Sequence, residues 1–137
     1  MKNLLITSIV ILFTLGSCKK EEITLGTVEA TVSYRPTSSS SARPDAGAKV
    51  YYYEQTFLDK TYTFDGYFNL IDPVTKAAIP YKLKAECNVS GYAKLENVPL
   101  GTHIIVVVRN GYSTIGDKHK FVIENIKSGN QAITVNF

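Results

Sequence analysis

The chain has 137 residues, with 15 Lys and Arg against 12 Asp and Glu, a formal net charge of +3, two cysteines and no tryptophan. That length suits one domain rather than two, and a charge this small and dispersed gives no basic stripe for nucleic acid. Once the first cysteine is committed as described below, a single thiol remains, so no intramolecular disulfide is expected and the domain must stand on its core.

Met1-Lys2-Asn3 supplies a basic start, residues 4–15 an apolar run too short to span a bilayer as a permanent helix, and Gly16-Ser17 the small residues of a cleavage site. Leu15-Gly16-Ser17-Cys18 resembles a bacterial lipobox. The resemblance implies diacylglycerol on the Cys18 thiol, cleavage before Cys18 and acylation of the new amine. Two or more acyl chains make an anchor stable, so Cys18 is the expected lipidation site and a membrane an expected partner. Lys19-Lys20-Glu21-Glu22 resembles the surface-export signal of lipoproteins in one Gram-negative phylum, and the residue after Cys18 is lysine, not the aspartate of inner-membrane retention. The expected address is the outer membrane, with the leaflet open. This divides the chain into a signal peptide over 1–17, a lipidated cysteine and tether over 18–26, and a β domain over 27–137.

Within that domain, Val28, Ala30, Val32 and Tyr34 alternate with polar neighbours, which predicts a strand over 27–34 with one buried face. Residues 35–47, rich in Ser, Pro and Asp, predict a long loop. A second strand is expected over 48–53, with Val50 and Tyr52 inward and Lys49, Tyr51 and Tyr53 sharing the opposite, wet face. Asp65-Gly66 between aromatic and β-branched runs predicts a tight hairpin, setting Phe64 opposite Tyr67 and Tyr62 opposite Asn69. Residues 76–80 read as a connector or one helical turn and residues 81–87 as an alternating strand.

The densest pattern is Gly91-Tyr92-Ala93-Lys94-Leu95-Glu96-Asn97-Val98-Pro99-Leu100-Gly101-Thr102-His103, followed by Ile104-Ile105-Val106-Val107-Val108. It predicts a half-buried strand, a corner at Pro99 and Gly101, and a strand with packing on both sides. Gly91 follows the turn formers Asn88-Val89-Ser90 and suits a positive φ. Farther on, Phe121 and Ile123 are expected inward on a strand over 120–123, and Ile133, Val135 and Phe137 inward on the last. Cys87 reads as a small buried apolar residue, and His103 and His119 as surface or edge residues.

Together with Pro44-Asp45-Ala46-Gly47-Ala48-Lys49-Val50-Tyr51, this pattern resembles the carboxypeptidase-regulatory-like (prealbumin-like, transthyretin-like) family of small β-sandwiches over residues 27–137. The resemblance implies an all-β, antiparallel, Ig-like or prealbumin-like sandwich of about seven strands. Residues 54–86, with their hairpin, are an insertion that the family lacks. The related collagen-adhesin B-type domains join a strand-one lysine to an asparagine, but residues 27–34 contain no lysine.

No catalytic triad spacing, metal-ligand cluster or phosphate loop is present, so neither enzymatic activity nor a cofactor is expected. Two functions are consistent with the sequence. One is a lipid-anchored module for interaction or assembly with an outer-membrane protein. The other is glycan binding, because nine tyrosines offer rings that stack on sugars and hydroxyls that hydrogen-bond. Lys49, Tyr51, Tyr53, Tyr62 and Tyr67 form the candidate ligand face: if the rings are exposed together, ligand binding is favoured, and if they fill a core, the assembly module is.

Overall fold

Residues 24–54, 61–65, 67–111 and 118–137 are described by a computed structural model; the expected signal peptide, Cys18 and tether residues 19–23 lie outside them, while Leu25 and Gly26, expected in the tether, belong to the first strand. The strands follow from alternation, which sends every second side chain to one face. In chain order they are β1 (Leu25–Tyr34), β2 (Arg43–Pro44), β3 (Lys49–Tyr53), β4 (Thr63–Phe64), β5 (Leu70–Ile71), β6 (Ala78–Ile79), β7 (Leu83–Glu86), β8 (Tyr92–Pro99), β9 (Gly101–Val108), β10 (His119–Ile126) and β11 (Gly129–Asn136).

Two four-stranded sheets make the all-β sandwich. In one, β1 is central, flanked by β11 on one side and by β8 and the short β2 on the other; in the second, the order is β10-β9-β3-β7. The interior between them takes Val28, Ala30 and Val32 of β1, Leu95 and Val98 of β8, Ile133 and Val135 of β11, Val50 and Tyr52 of β3, and Ile105 and Val107 of β9. Cys87 joins this core as expected, and burial pushes its thiol up to about 11, with the nearby Asp45 and Glu86 charges adding to the shift. Such a thiol is protonated and unreactive at neutral pH.

Several expectations need correction. The sandwich is not wholly antiparallel: β1 and β11 run parallel from Gly26 opposite Gly129 to Ser33 opposite Asn136. Alternation fixes which face of each strand is buried but carries no information on direction. In β10 the parity is reversed. Phe121 lies opposite Val106 and Ile123 opposite Ile104 on the outer face, while Val122 lies opposite Ile105 and packs inward. His103, expected near the surface, is buried and meets the Tyr52 ring edge-on at 5.1 Å between centroids.

The insertion builds a third sheet, β4-β5-β6, rather than a simple hairpin. Phe64 pairs with Leu70 and Thr63 with Ile71, so the expected pairs of Phe64 with Tyr67 and Tyr62 with Asn69 do not form. The reason is Asp65, whose carboxylate accepts hydrogen bonds from the Tyr67 and Asn69 backbone N–H groups at 2.9 and 2.8 Å and from Asn69 Nδ2 at 3.0 Å. These donors favour a wider loop over a two-residue turn, and they hold the Asp65 carboxyl below its usual range, the Asn69 backbone donor contributing most. The Lys76 N–H bonds back to the Asp72 carbonyl at 2.9 Å, closing one turn before β6 begins.

Gly91 behaves as its neighbours suggest, at φ 74°. A Cβ there would press on the Val32 carbonyl oxygen, which accepts the Asp45 N–H at 2.9 Å. Leu95, by contrast, owes its place to volume alone. Leu95→Ala is expected to lower unfolding stability by about 2–5 kcal/mol, as deletion of a buried leucine does, and chemical denaturation measures it. A loss below about 0.5 kcal/mol, the scale of surface substitutions, would place Leu95 outside the core.

Candidate docking face

The outer face of the β10-β9-β3-β7 sheet starts with rows set by register. Lys84, Tyr51, Val106 and Phe121 lie side by side across the four strands, and Tyr53, Ile104 and Ile123 form the next row across three of them. Sequence reasoning correctly put Lys49, Tyr51 and Tyr53 on one face, but that face is not wet. The insertion lies across it and makes a second core of Tyr51, Tyr53, Tyr62, Leu70, Ile104 and Val106, with Phe64, Phe68, Ile79 and Val108 packed alongside.

The cover is held by specific contacts. Tyr53 donates its hydroxyl hydrogen to the Phe68 carbonyl at 2.7 Å. Phe68, at φ 66°, stacks on Tyr51 with centroids 5.0 Å apart and planes 19° from parallel. Tyr81 closes on Tyr51 from another side at 5.1 Å, and the Lys49 ammonium stands 5.9 Å above the Phe68 ring. Tyr51 is therefore 1% exposed and Tyr53 0%. Of the five candidate residues, Tyr51, Tyr53 and Tyr62 are buried, Lys49 is half-buried at the rim, and Tyr67, 85% exposed at the loop beyond Asp65, stands apart. The expected aromatic platform is thus the inside of a second core. Alternation along β3 showed two faces and had no means of showing that a later segment would cover one of them.

Among the described residues the cover reaches β10 at His119 and leaves Phe121 and Ile123 beyond it. Phe121 and Ile123 stay 39% and 49% exposed beside Val106 and Ile104. Phe64 and His119 pack at 5.0 Å, and His119 meets Phe121 edge-on at 5.5 Å, so an aromatic row leads from the second core to the sheet edge. Among the described residues, β10 pairs only with β9, which leaves one side of its backbone unpaired. Sequence reasoning missed this edge because it sent Phe121 and Ile123 inward. An open cleft of about 400 Å³ is lined by Ser33, Arg35, Ala42, Asn136 and Phe137. Among the described residues no group of three His, Cys, Asp or Glu side chains is placed to hold a metal.

Asp45 was quoted in the sequence pattern without a role. It is fully buried, and its carboxylate accepts hydrogen bonds from the Asn110 N–H at 3.0 Å and the Gly111 N–H at 2.5 Å. Asn110 in turn donates from Nδ2 to the Ala46 carbonyl at 3.0 Å. This cross-brace ties the entry to β3 to the exit from β9. The signal for it was an aspartate within a Pro-Asp-Ala-Gly turn, a type that often satisfies backbone donors.

No family model and no curated protein matches the chain. Two solved structures are similar to the chain. One, a provisionally assigned carbohydrate binding protein from Pseudomonas aeruginosa, is 14% identical, with a TM-score of 0.50 over 85% of this chain and 91% of the other. The other is GBS52, the minor pilin of the Gram-positive pathogen Streptococcus agalactiae, 17% identical with a TM-score of 0.45. That match takes in 82% of this chain, which spans 44% of the pilin. At 14% identity the likeness to the Pseudomonas protein is one of β fold alone.

The triple tyrosine strand makes a pH prediction. Burial raises the pKa of Tyr51, Tyr52 and Tyr53, that of Tyr52 to about 12. A group whose folded pKa lies above its unfolded value of about 10 stabilises the fold fully below that pH and loses its contribution as pH rises through the folded value. Stability is expected to hold up to about pH 10 and to fall steeply between about pH 10 and 12, with part of the tyrosinate absorbance appearing only as the fold is lost. Titration of all nine tyrosines near pH 10, with far-UV circular dichroism unchanged, would contradict the second core.

Proposed function

We propose that the protein is a non-enzymatic interaction module, held on the outer membrane by lipid at Cys18 and docking on a protein through the edge of its β10-β9-β3-β7 sheet. The observation that carries this reading is the placement of Phe121 and Ile123. Apolar side chains on an unpaired strand edge are what natural sheets normally suppress, and their retention fits a surface that is covered in use. The insertion supports the reading because it covers the apolar side chains of β3 and β9 on that face and leaves Phe121 and Ile123 of β10 exposed. The glycan reading loses its main support, since three of the four candidate tyrosines are buried and Tyr67 alone makes no platform.

Photo-crosslinking tests the docking reading. A photoreactive residue at position 121, in protein residing in its own membranes, is expected to give a discrete protein adduct, and one at position 67 to give none. Adduct formation at 67 alone, with glycan binding abolished by Tyr67→Ala, would replace the docking reading by the glycan one. The anchor is tested separately: Cys18→Ser is expected to leave an uncleaved precursor carrying no lipid label, and a processed, labelled variant would refute lipidation at Cys18.

A further inference from the structure

The exposed edge carries its own complement. We propose that β10 pairs antiparallel with β10 of a second copy of this chain, about a two-fold axis through Val122, joining the two β10-β9-β3-β7 sheets into one. The proposal rests on the interaction reading above and names the partner for that same edge.

The argument begins with parity. Side chains directly opposite in one continuous sheet share a face, so an edge that pairs with itself about an axis normal to the sheet must be centred on a residue and not between two. Centring on Val122 sets Phe121 opposite Ile123 of the second copy, twice, on the outer face. It also sets Lys120 opposite Glu124 of the second copy, twice, on the inner face, and His119 opposite Asn125. Every pair from His119 to Asn125 then joins like with like or opposite charges, and Ile126 falls opposite Lys118, outside the strand. Centring on Phe121 puts Lys120 against Val122 and His119 against Ile123; centring on Ile123 puts Glu124 against Val122 and Lys120 against Ile126. Each of those registers sets a polar or charged side chain against an apolar one.

Charges on an edge strand ordinarily block pairing. Here they lie two residues either side of Val122 with opposite sign, so they oppose other registers and favour this one. Lys120 bonds the Asn136 carbonyl and stands 5.4 Å over the Phe137 ring, which holds its charge at the sheet margin. Phe121 is steadied by His119, and the outer strip of Phe121 and Ile123 continues the row of Val106 and Ile104. One strand pair is a small interface, at the weak end of specific association. Anchoring both copies in one membrane raises their effective concentration, which is how a weak contact becomes occupied.

The test is a charge swap read by analytical ultracentrifugation of the full lipidated chain in detergent. The unaltered protein is expected to dimerise. Lys120→Glu and Glu124→Lys each place like charges opposite twice and are expected to weaken dimerisation roughly tenfold or more. The double variant, Lys120→Glu with Glu124→Lys, restores complementarity in a homodimer and is expected to regain it, whereas a foreign partner's binding would not be regained. A dimer that both single variants leave intact, or that the double variant fails to restore, overturns the proposal. Should the charge variants misfold, Val122→Cys provides a second reading: oxidation in membranes is expected to give a disulfide-linked dimer, and a variant that stays monomeric overturns the axis. A monomeric protein with a heterologous adduct at position 121 would refute self-pairing while leaving the docking function standing. Absence of any adduct at 121 would remove that function as well.

Discussion

Burial of β3 and β9 on both faces is the constraint on which the other elements depend. Each strand sends one set of side chains into the sandwich and the other into the second core: Val50 and Tyr52 against Tyr51 and Tyr53, Ile105 and Val107 against Ile104 and Val106. A strand so placed has no wet face, and its sequence loses the alternation that half-buried strands show. Ile104 to Val108 reads as an unbroken β-branched run for that reason. Without the insertion, those outer side chains would be left in water, a contiguous apolar patch of the kind that soluble domains avoid. The added segment is therefore part of the folding unit, coupled to the sandwich through the Tyr53 hydroxyl and the Tyr51–Phe68 stack.

Two aspartates set the corners that make this double packing possible. Asp45 binds the backbone donors of Asn110 and Gly111 and so fixes where the chain leaves β9 relative to where it enters β3. Asp65 does the corresponding work in the insertion, gathering the Tyr67 and Asn69 donors so that Phe68 turns down onto Tyr51. The environments differ. Asp45 is buried, where an unpaired acceptor costs about 1–3 kcal/mol or more for a charged group, so its two donors are a requirement of the fold. Asp65 is half-buried, and the three donors its carboxylate gathers all come from its own loop.

Much of the sandwich was legible because its half-buried strands keep a period of two: Val28, Ala30 and Val32 in β1, and Ile133 and Val135 in β11, lie inward as their spacing says. The run at 104–108 was legible for the opposite reason, its lack of any polar side. What failed had a common cause, which is that periodicity reports a face and not what covers it. Phe121, Val122 and Ile123 are all apolar, so alternation could not choose between parities, and pairing with β9 chose the one that leaves Phe121 and Ile123 outside. Tyr51 and Tyr53 shared a face as expected, but whether that face met water was decided by a later segment that includes Tyr62, Phe64, Phe68 and Leu70. Parallel pairing of β1 with β11 was likewise invisible, since it joins the two ends of the described domain.

These two failures bear on function together. If the outer face had been wet throughout, Tyr51 and Tyr53 would have been the natural ligand platform and an apolar β10 would have been a local irregularity. With the face sealed over β3 and β9, Phe121 and Ile123 remain exposed at the β10 margin, beside backbone that is unpaired among the described residues. A sugar ring needs a flat, exposed aromatic face, whereas an added strand needs open N–H and C=O groups flanked by alternating side chains. The β10 margin offers the second and not the first. In covering Tyr51, Tyr53 and Tyr62 the insertion takes three rings out of reach of a ligand, and by leaving Phe121 and Ile123 exposed it keeps a strand margin that suits the proposed docking.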